Sequence, residues 1–165
     1  MTHLNTSIVS LRLSGDQLVP EILTELLGCD PTDCFIKGQI IRGQKTGQEI
    51  TKKTGMWILE SKDSEPGDID KQVAELLGKL TNDLNIWASL SKQFKIDLFC
   101  GLLMEETNEG LSVSAETILA LGLRRIMLEI DIYAPTQDIK DDDPCPCGSG
   151  KLYAECCVSP IKRKA

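Results

Sequence analysis

The chain has 165 residues, 41% of them hydrophobic, which suits one ordinary domain with an appendage and excludes disorder throughout. Its 18 basic and 25 acidic side chains leave a net charge of -7. Residues 141 to 165 carry four of each sign, so the deficit belongs to residues 1 to 140, an acidic body that repels nucleic-acid phosphate and argues against sequence-specific nucleic-acid binding.

Residues 7 to 13 alternate and carry β-branched side chains, which predicts a first strand. Asp16 is the expected N-cap of a helix whose stripe is Leu18, Ile22, Leu23, Leu26 and Leu27, stopped by Gly28. After the turn residues Asp30 to Asp33, strands are expected over 34–41 and 55–61, joined by the polar segment 42–54. Ser64 to Asp68 introduces a long helical stretch with Ile69, Val73, Leu76, Leu77, Leu80 and Leu84 on one side, broken and resumed near Trp87. A strand follows over 95–103, then a short helix capped by Ser114 and a last alternating strand over 125–133.

The order β-α-β-β-α-β-α-β predicts an α+β fold: a ferredoxin-like antiparallel sheet with helices on one face, plus an added helix and strand. The expected division is a body over 1–136, a self-repelling acidic linker over 137–143 and a small cysteine-rich module with a basic tail over 144–165. Met1 to Thr6 lacks the flank and apolar run of a secretory signal, and no apolar run approaches the roughly 20 residues of a membrane span, so a cytoplasmic protein is expected.

A reducing compartment disfavours structural disulfides and leaves metal binding, catalysis or burial as uses for the seven cysteines. Four of them, Cys145, Cys147, Cys156 and Cys157, fall within thirteen residues, too few to fold around a hydrocarbon core. The spacing C-x-C-x8-C-C can surround one tetrahedral zinc if the chain reverses through Gly148-Ser149-Gly150, and Lys151 would offset the surplus negative charge. Four sulfur ligands leave no open position, which points to one structural Zn2+ rather than a hydrolytic one. Disulfides or idle thiols are the bland alternative; iron-sulfur binding does not match the ferredoxin spacings.

Residues 144 to 157, Pro-Cys-Pro-Cys-Gly-Ser-Gly-Lys-Leu-Tyr-Ala-Glu-Cys-Cys, resemble the SEC-C zinc-binding motif found at the C-terminus of the bacterial preprotein translocase ATPase SecA and in many other bacterial proteins. The resemblance implies the ligands Cys145, Cys147, Cys156 and Cys157, with Cys157 where translocase versions often carry His. In that ATPase the motif serves contacts with the export chaperone SecB, the ribosome and lipid. The body, through Leu11 to Leu13, Leu26 to Pro31, Thr54 to Ser61 and Leu128 to Tyr133, resembles the bacterial domain of unknown function 4279 over most of residues 5 to 134. That family implies a domain boundary and no activity.

Other motifs have simpler readings. Gly148 to Lys151 is not a P-loop end, because Leu152 replaces the magnesium-binding Ser or Thr; Gly38 and Gly43 with Lys45-Thr46 fail because Gln44 displaces the lysine. Cys29 and Cys34 read as buried or incidental thiols and Cys100 as core. His3, the sole histidine, gives acid-base chemistry no centre; Trp57 and Trp87 read as packing residues; Asp141 to Asp143 read as linker rather than a calcium site. Lys162-Arg163-Lys164 offers ribosomal RNA or anionic lipid only a weak, salt-sensitive contact. The expected function is a non-enzymatic bacterial binding protein with a zinc docking motif and a protein partner. The alternative is an immunity-type protein neutralising a basic toxin, steered by its acidic body; an uncharacterised enzyme comes third.

Overall fold

The computed structural model describes residues 3–42, 47–106, 108–135, 140, 142–145 and 149–156. The chain divides into two compact units, residues 1–134 and 135–165. In the first, the alternating N-terminal segment forms β1 (Thr6–Gly15). Helix α1 (Pro20–Leu27) starts at Pro20 rather than beside the expected cap Asp16: proline presets the helical φ at the first position, where its missing N–H forfeits no intrahelical bond, and Val19 makes no side-chain cap bond. Asp16 pairs instead with Lys37, whose ammonium holds its carboxyl below the usual carboxylate range. Gly28 ends the helix at φ 78°, its N–H on the Thr24 carbonyl at 2.9 Å.

The strand expected over 34–41 is two strands, β2 (Asp33–Phe35) and β3 (Ile40–Arg42). Between them Gly38 takes φ 83°, a turn conformation that a continuous strand does not accommodate. β3 pairs with β4 (Glu49–Thr51) in a separate two-stranded sheet, so the supposed connection 42–54 carries a strand of its own. β5 (Gly55–Glu60) leads to α2 (Ile69–Gly78), where Asp68 accepts the Lys71 N–H at 3.0 Å, and to α3 (Leu84–Leu90), where Asp83 accepts the Asn85 N–H at 2.8 Å. These two caps are why the long apolar stretch is two helices. β6 (Lys95–Leu103), α4 (Ala115–Leu123, capped by Ser114 as expected) and β7 (Met127–Tyr133) complete the unit.

The sheet order is β2-β5-β1-β6-β7. β1 is antiparallel to both β5 and β6, so those two run parallel with β1 between them, joined by α2 and α3. In the same way β1 and β2 run parallel around β5, joined by α1. The fold is therefore α+β with a mostly antiparallel sheet. The expected antiparallel sheet holds for β2, β5, β1 and β6, and the added strand β7 pairs parallel to β6, because the α4 crossover returns the chain in the same direction.

One sheet face carries Val9, Leu11, Leu13, Trp57, Leu59, Ile96, Leu98 and Leu102 into a core closed by helix residues such as Leu23, Leu27, Val73, Leu76 and Trp87. Trp57 and Trp87 are fully buried, their indole N–H groups donating to Thr24 Oγ1 at 3.3 Å and to the Thr81 carbonyl at 2.9 Å, which is packing chemistry. Cys100 lies in the same core, where burial pushes its thiol up to about 11 and leaves it unreactive. On the opposite face Arg12 bonds Asp97 at 2.7 Å, reaches Glu129 at 2.5 Å and stacks 4.6 Å from the centre of the Phe99 ring.

The core's main polar junction joins β1 to α2. Gln72, 2% exposed, accepts from Ser7 Oγ at 2.6 Å and donates to the carbonyls of Ser7 and Lys62 at 3.1 and 2.8 Å. Gln72→Leu strands these groups inside the core and is expected to cost about 2–3 kcal/mol in urea denaturation. Asp70 joins α2 to α4, accepting the Ser114 N–H at 3.1 Å. Partial burial opposes its charge, but hydrogen bonds from the Thr117 hydroxyl and from Ser114 outweigh burial and hold its pKa below the usual value. A lowered folded-state pKa contributes stability present above the unfolded value of about 4 and lost as pH falls through the folded one. The stability gap between the native chain and Asp70→Asn should therefore be constant above about pH 4 and close on further acidification.

Candidate metal centre

In the second unit the chain doubles back on itself. Pro144 and Leu152 form an antiparallel bridge, the Cys145 N–H donates to the Lys151 carbonyl at 2.8 Å, and the Tyr153 N–H donates to the Asp143 carbonyl at 2.9 Å. Gly150 takes φ 73° in the reversal, a conformation suited to glycine. The strand-like return runs into a single helical turn, α5 (Tyr153–Cys156), which carries Cys156 at its end. Ser149 and Gly150 thus lie in a reversal between two short paired segments, the second beginning at Lys151, rather than between a strand and a long helix.

Among the described residues of this unit only Cys145 is buried. The described residues of this unit therefore bury no hydrocarbon cluster of the kind that orders residues 1–134. Cys145 sits on one arm of the reversal and Cys156 follows the other, so hydrogen bonding folds the two ends of the cysteine cluster toward a common turn. Ser149 Oγ donates to Cys156 Sγ at 3.2 Å, and the Lys151 N–H donates to Ser149 Oγ at 3.4 Å. Donors directed at a sulfur complement the negative charge of a metal-bound thiolate, so these residues fit a zinc site. Cys147 and Cys157, the other two expected ligands, lie outside the described residues, as do the basic residues 162–164 and Asp141 of the expected linker. Among the described residues alone, no group of three or more His, Cys, Asp or Glu is placed to hold a metal.

The remaining candidates are scattered. Cys29 is half-buried with its Sγ 3.4 Å from the Asp30 carbonyl, and Cys34 is exposed on β2. His3, exposed and bridged to Gly110, borders an open cavity of about 500 Å³ with Glu65, Asp68 and Lys71. Sequence reading did not find this cavity because Ser64–Asp68 and Gly110–Ser112 meet only through the fold. Asp68 is committed there to capping α2. No helix among the described residues is long and apolar enough to cross a membrane.

Two family models match the chain. Domain of unknown function (DUF4279) matches residues 4–135, and the SEC-C motif, a zinc-binding type of segment, matches residues 143–157. Neither a search of curated proteins nor one of solved structures found a match. Ser149→Ala is expected to weaken zinc retention by about tenfold or more while keeping the stoichiometry, measured by competition with a chromophoric chelator. Unchanged retention would show that the hydroxyl does not serve the sulfur.

Proposed function

The chain belongs to the DUF4279 family over residues 4–135, and on that premise we propose that it is a non-enzymatic bacterial adaptor of the cytoplasm, an α+β body carrying a zinc-ordered docking module. The proposed ligands are Cys145, Cys147, Cys156 and Cys157, holding one structural zinc. Bound there, the ion would supply cross-linking, and four thiolate ligands would leave no position for water or substrate. Lys151 offsets the net negative charge, Ser149 orients Cys156, and the 143–145 and 151–153 arms hold the two ends of the cluster together.

The observation that carries this reading is the reversal of 143–153 with Cys145 as the one buried side chain among the described residues of its unit. It supports a segment ordered by coordination and presented to a partner. For the body, the interleaved crossovers β1-α1-β2 and β5-α2-α3-β6 support the ferredoxin-like reading, with α4 and β7 as the addition.

Native-lysate capture with the full chain and with the double variant Cys145→Ser/Cys156→Ser tests the docking role. The zinc-loaded chain is expected to retain at least one protein that the variant loses. Identical capture by both baits would remove the docking reading even if zinc is bound.

A further inference from the structure

The two edges of the main sheet are built differently. β2 closes one edge with three residues, a length too short to template another strand. β7 closes the other with seven, in unbroken register with β6 from Asp97↔Met127 to Leu103↔Tyr133. It carries no lysine, proline or bulge, and its two charges, Glu129 and Asp131, lie on the face away from the row Leu128, Ile130 and Ile132.

This edge is also apolar. The β7 row that follows the core parity of β6, Leu128, Ile130 and Ile132, stays exposed by 36 to 65%, and Ile118, Leu119 and Leu123 of α4, which packs against β7, are at least half exposed. Met127 and Tyr133 add apolar surface on the other face. The six side chains on the core side of the sheet alone expose several hundred Å², the size of apolar patch that marks an interaction surface.

We infer that β7 pairs antiparallel with β7 of a second copy of this chain, forming a two-fold dimer with a continuous ten-stranded sheet. A two-fold interface requires a self-complementary surface, and a strand with one apolar row provides it. With the axis at Ile130, Ile130 faces its equivalent and Leu128 faces Ile132 of the second copy, with the exposed α4 side chains beside them. On the other face Glu129 meets Asp131 of the second copy. Glu129 is already engaged by Arg12 and Lys95, while Asp131 adds a repulsion that weakens the pairing without abolishing it. The arrangement is independent of zinc and of the docking reading above.

Sedimentation equilibrium on the full chain tests the inference, in the presence and absence of a chelator. The expected result is a reversible dimer of twice the 18.2 kDa chain mass, retained under chelation. Ile130→Lys, at an exposed edge position, should raise the dissociation constant by at least about tenfold with unchanged circular dichroism. Asp131→Asn, which relieves the repulsion, should lower it by about three- to tenfold. A single-chain mass at all concentrations would overturn the inference and assign the edge to the chain's own remaining residues or to a foreign strand. A dimer insensitive to Ile130→Lys, or one lost on chelation, would overturn it as well.

Discussion

Ordering a residue costs about 1–2 kcal/mol of backbone entropy, and every compact segment needs a favourable term to offset it. Residues 1–134 supply that term by burial: one face of the main sheet meets α1, α2, α3 and α4 around Trp57, Trp87 and a closed set of aliphatic side chains. The described part of residues 135–165 buries a single side chain, Cys145. The proposed coordination would be a term of sufficient size, since zinc contributes on the order of 10 kcal/mol or more to small thiolate peptides.

The central position of β1 follows from its composition. Its inward residues are Ser7, Val9, Leu11 and Leu13, and strands flank it on both sides, so no backbone edge of β1 faces water over its paired length. Ser7 is the polar exception, and Gln72 answers it from α2, which sets that helix over the N-terminal end of β1. Asp70 then ties α2 to the start of α4. The crossover through α4 delivers β7 parallel to β6 and leaves its outer edge and apolar row exposed.

Much of this was legible in the residues. β1 and β7 announce themselves by alternation, and Ser114 and Gly28 mark helix ends by their backbone chemistry. Asp16 misled because Pro20 sets the helix start with Val19 as the cap residue, and the actual partner of Asp16, Lys37, lies 21 residues away. The break at Gly38 and the β3–β4 pairing were hidden because a positive φ and a three-residue hairpin leave little periodicity. Pairing direction at β7 was likewise invisible to periodicity, which reports faces and not neighbours.

The candidate site divides in the same way. Cysteine spacing is local and was readable, and the turn at Gly150 conforms to its glycine. The Ser149 hydroxyl on Cys156 depends on the reversal that brings positions seven apart together, and spacing alone does not reveal it. X-ray absorption at the zinc edge, on full-length protein purified without added metal or chelator, tests the coordination most directly. The account predicts one zinc per chain with a first shell of four sulfurs at about 2.3 Å. A shell containing nitrogen or oxygen, or protein free of zinc, would contradict it.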